Sequence, residues 1–449
     1  MRVTIISTYS WLNKGDAAIV LGTARALRQA QPQIELTIVS MTPEVDQVPY
    51  AQEQIDVVSG PFGYIYAPGH SLFYRMMLFS LHSLLMLLGL LVVRYQRAAS
   101  LRWLPSKTRA LVHSIATADL IVGVGGGYWT DNSRKAIYFH LLQTIGVLIA
   151  KRPMVTLGVS LGPFRSIWRS RLVGKVLDRV AAIVLREEES LAVAQAMQIR
   201  PQKLHLYADM AFALAPTVKR QPRVSHSSQP LRIGVTARRY LFPHAADPQK
   251  AQAKYERTLA ATIDHFTVRY CAEVVFLPQV IGPENDDDRI VQRRIASLLQ
   301  HNRQVTLLED NLSPNELIEQ ISGFDFVIAT RFHSAIFTML AHVPVVAIAY
   351  EHKTTGIMAL LGLSQWVIPI EEVTAPALNQ RCAALLQERD AVQQQIVQGV
   401  QWMSQRAAAS VDLCLTIAQL PSLPKKTAAK SSSHPGIPSC LEQAPKPDA

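Results

Sequence analysis

Short β-branched runs alternate with longer helical stretches along this chain, and that alternation leaves few folds open to it. Val3 to Ser7, Leu36 to Val39, Leu120 to Gly123, Met154 to Gly158 and Ala182 to Leu185 are such runs. The pattern predicts a parallel sheet covered by helices, with binding loops at the carboxyl ends of the strands. A polar stretch rich in Pro and Ser, Ala215 to Pro230, interrupts it. It restarts with Leu231 to Thr236, Glu273 to Leu277, Val305 to Leu308, Phe326 to Ala329 and Val345 to Ile348. At 449 residues the chain has room for two or three units of about 150 residues. The expected organisation is an α/β domain over residues 1–215, a linker at 216–230 and a second α/β domain at 231–374, facing the first across a cleft. Helices follow at 375–420, and then a disordered tail at 421–449, rich in Pro, Ser and Lys.

The bulk chemistry narrows the partners. A formal charge of +11 favours an anionic one: nucleic acid, acidic lipid or a phosphorylated metabolite. The basic residues are scattered and not interleaved with aromatics, which argues against nucleic acid. Cys271, Cys382, Cys414 and Cys440 lie far apart and form no metal pattern. Asp286-Asp287-Asp288 reads as a solvated helix start, since no His or second acidic cluster accompanies it. No metal and no cofactor are expected. Met1 to Ser7 runs directly into a strand without the features of a signal peptide, so a cytoplasmic location is expected.

Apolar residues concentrate at Met76 to Val93, inside an insertion of about 70–110, with Arg75 before them and Arg94, Arg97, Arg102, Lys107 and Arg109 after. The length approaches that of a membrane span. A single crossing would, however, put the strands Val3 to Ser7 and Leu120 to Gly123 in different compartments, although one sheet needs both. The segment is then a buried helix, a re-entrant hairpin turning near Gly89, or a helix lying in the cytoplasmic interface. The basic flank favours the interfacial anchor, peripheral on the inner face of the cell membrane.

Several strand ends carry candidate chemistry. Asn13-Lys14-Gly15-Asp16 follows the first strand and opens a helix from Ala17; Asp16 reads as its capping carboxylate, or as a polar group offered to a ligand. Gly123 to Asp131 contains Gly125-Gly126-Gly127, but not with the GxGxxG spacing or the later acid of a dinucleotide site. The glycines allow close approach of a ligand, with Asp131 holding a hydroxyl, and a tight structural turn explains them equally. Arg186 emerges from an apolar run and needs an anionic partner, either a protein carboxylate or a ligand. The strongest site is Arg331-Phe332-His333-Ser334, where a buried strand turns into a helix. Arg331 offers a fork for carboxylate or phosphate, His333 moves a proton near neutral pH, and a helix N-terminus favours an anion. Tyr350-Glu351-His352-Lys353 brings a second cation to the same sheet edge.

Together these motifs resemble the polysaccharide pyruvyl transferase family. The matches are Asn13 to Asp16, the triple glycine with Asp131, Gly158 to Phe164, Arg186 to Ser190, Asp209-Met210-Ala211-Phe212, Leu277-Pro278-Gln279, Arg331 to Ser334, and Tyr350 to Lys353 followed by Gly356-Ile357-Met358. They run in order over roughly residues 1 to 365. The resemblance implies a GT-B-like fold of two Rossmann-like domains. It also implies transfer of a pyruvyl group from phosphoenolpyruvate to a sugar of a cell-surface polysaccharide precursor, forming a ketal. Carried over by motif, Arg186, Arg331, His333 and Lys353 form the phosphoenolpyruvate set, with His333, Arg331 and Lys353 catalytic. Asn13, Asp16, Gly126, Gly127 and Asp131 face the acceptor, and the apolar insertion suggests that this acceptor is lipid-linked. Rival expectations are a GT-B glycosyltransferase using a nucleotide sugar and a non-catalytic glycan-binding protein at the membrane.

Overall fold

The computed structural model describes residues 1–64, 71–96, 101–133, 136–217, 230–282 and 286–419. Most of the expected linker and the tail lie outside them. The first half runs β1 (Arg2–Ile6), α1 (Lys14–Ala30), β2 (Glu35–Ser40), α2 (Pro43–Gln52), β3 (Asp56–Ser59), α3 (Leu72–Tyr95), α4 (Ser106–Thr117), β4 (Leu120–Val124), α5 (Ala136–Ala150), β5 (Met154–Val159), α6 (Ile167–Leu177), β6 (Ala182–Leu185), α7 (Glu188–Ala196) and β7 (Leu204–Leu206). The second half runs β8 (Arg232–Thr236), α8 (Pro248–Tyr270), β9 (Glu273–Phe276), α9 (Asp288–Ser297), β10 (Val305–Leu307), α10 (Pro314–Ile321), β11 (Phe326–Ala329), α11 (Phe332–Leu340), β12 (Val345–Ala349), α12 (His352–Leu360), β13 (Val367–Pro369), α13 (Ala375–Gln387) and α14 (Arg389–Gln419).

Two wholly parallel sheets result. One has seven strands in the order β3-β2-β1-β4-β5-β6-β7, the other six in the order β10-β9-β8-β11-β12-β13. Central strands such as β4 and β12 are buried along their whole length, as expected of a sheet covered on both faces. Strand order reverses between β1 and β4 in the first sheet and between β8 and β11 in the second. Loops diverge at such points and leave a crevice at the carboxyl edge. The Asn13 to Asp16 segment and the glycine loop leave the first switch point, and Arg331 to Ser334 leaves the second. The long helix α14 returns to the first half, where Ser410 meets Met210 and Arg406 donates to the Leu206 carbonyl.

Local chemistry corrects two sequence expectations. Helix α1 begins at Lys14, and its cap is Asn13, whose side chain accepts from the Gly15 and Asp16 amides. Asp16 therefore sits in the first turn, where its carboxylate takes the Asn13 side-chain amide. In the acidic triplet, Asp287 does cap α9 through the Arg289 amide, but Asp288 is buried, not solvated. It ties the loop after β9 to the second half of the site, as described below.

The apolar insertion is one continuous helix, α3, which rules out a hairpin turning at Gly89. Gly89 is where the helix meets α4, since a Cβ there would lie 2.9 Å from Leu104 and 3.0 Å from Val112. In the chain α3 lies between β3 and β4, which belong to the same sheet, and it rests against the domain through Met86 and Leu90.

Candidate functional site

Strand ends from both sheets deliver the site. Asp16 comes from the start of α1, Arg186 from the end of β6 and Asp209 from just past β7. His333 opens α11 and Lys353 opens α12. The halves meet closely: the Lys14 amide donates to the Gln279 carbonyl and the Ile281 amide to the Leu12 carbonyl, so the start of α1 is stitched to the Leu277-Pro278-Gln279 loop. Lys14 itself is buried in this seam, with its ammonium on the Asn311 side chain and the Trp11 carbonyl. Burial lowers its pKa to about 8.

Gly15 explains itself at the same seam. A Cβ on it would stand 2.1 Å from His333 Nδ1, so only glycine lets the imidazole lie against α1. On its other side His333 Nε2 faces the Asp209 carboxylate at 3.7 Å. Asp209 is fully buried and takes Arg186 Nη1 at 2.5 Å and the Ala211 amide at 2.8 Å. Burial opposes its charge, but Arg186 and His333 outweigh that and hold the carboxyl well below the usual carboxylate range.

Arg186 finds its anion within the protein. Besides Asp209 it has Glu187 at 3.5 Å and donates through Nε to Ser160 at 2.8 Å. Its guanidinium lies over the Phe332 ring at 4.7 Å, and Lys353 Nζ lies over the same ring at 5.5 Å. Phe332 thus separates a sealed cation from an accessible one, because the Lys353 side chain keeps 15% of its surface exposed and Arg186 keeps 1%. Burial disfavours the Lys353 charge, but Glu351 at 2.7 Å outweighs it and raises the ammonium above its ordinary pKa. A Cβ on Gly127 would come within 3.1 Å of Lys353 Nζ, which brings the glycine loop onto this lysine.

Asp16 is held by Asn13 Nδ2 at 2.5 Å. Burial raises its pKa, while His333, Lys353 and Arg186 pull the other way. One carboxyl with a raised pKa and one with a lowered pKa, both within the electrostatic reach of His333, separate the two into a group that can exchange a proton and one that stays charged.

Two expected residues are otherwise engaged. Arg331 binds Asp288 Oδ1 through Nη2 at 2.6 Å and Asp286 Oδ1 at 2.8 Å. Asp288 also accepts from the Gln279 and Val280 amides, both at 3.0 Å. Arg331 therefore fastens the stitched loop. Asp131 accepts from the Arg165 and Ser166 amides and pairs with Arg169 at 2.9 Å, so it joins the glycine loop to the start of α6. Gly126 lies against Tyr128, and a Cβ on it would come within 2.6 Å of that ring.

Sequence reasoning gave Asp209 no role, although its motif was visible, and passed over Arg238. The latter follows β8 at the second switch point and lies over the Tyr350 ring at 4.4 Å. A cation just beyond a strand end was the signal. Among the described residues no three His, Cys, Asp or Glu side chains are grouped to hold a metal ion.

The cluster begins at Asn13 and reaches Lys353, and the sequence model of one family, polysaccharide pyruvyl transferase, matches residues 13–352. The chain belongs to this family. It is also 24% identical over 409 residues to the amylovoran biosynthesis protein AmsJ of Erwinia amylovora, covering 89% of this chain and 96% of that protein. Among solved structures, a UDP-GlcNAc 2-epimerase from Neisseria meningitidis superposes with a TM-score of 0.57 at 12% identity, over 93% of this chain and 100% of that one. A glycosyltransferase from Rickettsia africae gives 0.55 at 9% identity, over 93% and 98%. The chain thus has the GT-B-type architecture of two facing α/β domains. An epimerase and a glycosyltransferase share that architecture, so the fold alone does not select the reaction.

Proposed function

We propose that the protein transfers a pyruvyl group from phosphoenolpyruvate to a sugar of a lipid-linked polysaccharide precursor, forming a pyruvate ketal. The observation that carries this is the meeting of Asp16, His333 and Lys353 at the seam of the two halves, with Asp16 and His333 inside the span that matches the family and Lys353 directly beyond its end. Phosphoenolpyruvate presents a phosphate and a carboxylate. Lys353 and the amino ends of α11 and α12 supply positive potential where such an anion would lie.

In this reading His333 gives its proton to the methylene carbon while a sugar hydroxyl attacks C2. The second hydroxyl then forms its own bond to C2 as the C–O bond to phosphate breaks. Of the two hydroxyl protons, one replaces the proton spent by His333, by way of Asp16, and the other leaves with phosphate. Asp209 keeps the imidazole oriented, and Arg186 keeps Asp209 ionised. Lys353 stabilises the departing phosphate.

The test is incubation with phosphoenolpyruvate and glycan acceptors, free and lipid-linked, following phosphate release and the mass of the acceptor. Phosphate release with an acceptor gain matching one ketal-linked pyruvyl group is expected. Turnover of a nucleotide sugar with no reaction of phosphoenolpyruvate would overturn the proposal.

A further inference from the structure

Helix α3 is built the wrong way round for a soluble domain. Phe73, Met77, Leu81, Leu84, Leu88, Leu91 and Tyr95 recur every three or four residues, which is one face of a helix, and all are exposed. Phe73 and Tyr95 keep 81% and 73% of their surface. Two polar side chains of the helix point inward: His82 and Ser83 are buried, and His82 Nδ1 meets Thr108 Oγ1 of α4 at 2.5 Å. A helix that buries a histidine and a serine while showing a continuous stripe of leucines and aromatics is matched to a surrounding less polar than water.

The face does not stop at α3. Phe79 packs edge-on against Phe139 of α5 at 5.2 Å, and Tyr138 of the same helix stacks on Trp168 of α6 at 6.4 Å. Helix α6 exposes Ile167, Trp168 and Leu172, with Arg171 and Lys175 beside them. Trp103, between α3 and α4, is exposed too, next to Arg102. Apolar bodies ringed by tryptophan and long cations suit the boundary between acyl chains and headgroups.

Charge identifies the occupant. No Asp or Glu occurs between Asp56 and Asp119, whereas Arg75, Arg94, Arg97, Arg102, Lys107 and Arg109 do. None occurs between Asp131 and Asp178 either, the span that contains α5 and α6. A second copy of this chain would bring the same cations face to face. An acidic bilayer would meet them with phosphates.

We propose that α3, with α5 and α6, docks in the plane of an acidic lipid membrane, the exposed stripe entering the acyl boundary and the arginines and lysines bearing on lipid phosphates. The consequence for the site is direct. Asp131 ties the start of α6 to the glycine loop, and a Cβ on Gly127 of that loop would come within 3.1 Å of Lys353 Nζ, so docking sets the cleft beside the bilayer.

The experiment is flotation of the full chain with phosphatidylcholine vesicles, with and without phosphatidylglycerol, in low and high salt. Binding is expected with the acidic vesicles and should weaken as salt rises. The variant Leu84→Glu/Leu88→Glu, which touches nothing in the cleft, should lose binding about tenfold or more. Arg171→Glu/Lys175→Glu should lose the preference for acidic lipid. Thermal melts matching the wild type show that each variant folds. Equal flotation of wild type and Leu84→Glu/Leu88→Glu would overturn the proposal, as would a wild-type dimer in detergent-free solution that Leu84→Glu/Leu88→Glu makes monomeric. Flotation is read without substrates, so docking without pyruvyl transfer would refute the reaction alone, and transfer without docking the surface alone.

Discussion

The imidazole of His333 occupies the space in which a side chain on Gly15 would stand, with Nδ1 only 2.1 Å from that Cβ position. A proton-bearing group of one half is thus positioned by the bare backbone of the other, and the site exists only when the halves are together.

Gly15→Ala should accordingly damage activity more than folding. Alanine improves a helix by about 1 kcal/mol over glycine, but its methyl must push His333 aside or part the seam. A displacement of about 1 Å at a reacting group costs on the order of 100-fold in rate. The expected result is a loss of that order in kcat/KM with a melting temperature close to wild type. Full activity would mean that His333 does not act from this position.

Asp16 supplies a pH dependence. Burial raises its pKa, so its ionised form is reached at a higher pH than for an ordinary carboxylate. If Asp16 accepts the proton, kcat should fall on the acid side with a midpoint above the usual carboxylate value of about 4. Asp16→Asn should leave a low rate without that limb. A pH-rate profile of both proteins decides it; an unchanged acid limb in the variant would assign the limb elsewhere.

The Arg186–Asp209 pair predicts a stability cycle. Asp209→Asn leaves a buried guanidinium with Glu187 at 3.5 Å as its remaining charged partner, and breaking a buried pair costs about 3–5 kcal/mol. Removing both charges, Arg186→Met/Asp209→Asn, should cost less than Arg186→Met and Asp209→Asn added. The sign with pH follows from the lowered pKa of Asp209. Its contribution is complete above the unfolded carboxylate value of about 4 and is lost as pH falls through the lower folded value. Urea unfolding of the four proteins, at neutral and acid pH, measures both.

The sequence exposed the parts of the molecule that are locally encoded. Every strand named from a β-branched run is present, because a strand covered on both faces must be continuously apolar. Three strands escaped: β3, β7 and β13 have three or four residues each, lie at or near the sheet edges and are only partly buried. They carry too little pattern to read. The site motifs were visible as strand ends, but their pairings were not. Arg186 and Asp209 stand 23 residues apart, and Arg331 and Asp288 stand 43 apart, so no spacing rule joins them. Asp288 looked solvated because burial depends on what folds over it, and Arg331 looked free for the same reason.

Arg331 and Lys353, equivalent as cations in the sequence, should therefore separate on mutation. Arg331→Met strands the buried Asp288 carboxylate. Two backbone amides still serve that carboxylate, so about 3 kcal/mol of destabilisation is expected, the low end for a broken buried pair. Lys353→Met removes a partly exposed charge whose partner, Glu351, can turn to solvent, and should cost about 1 kcal/mol or less. The kinetic effects should reverse. Lys353→Met loses stabilisation of the leaving phosphate and should lower kcat by about 100-fold or more. Arg331→Met, assayed below its own unfolding transition, should retain much of kcat. Urea denaturation together with initial rates of phosphate release settles the matter. An Arg331→Met protein of wild-type stability but without activity would move Arg331 from the seam to the substrate.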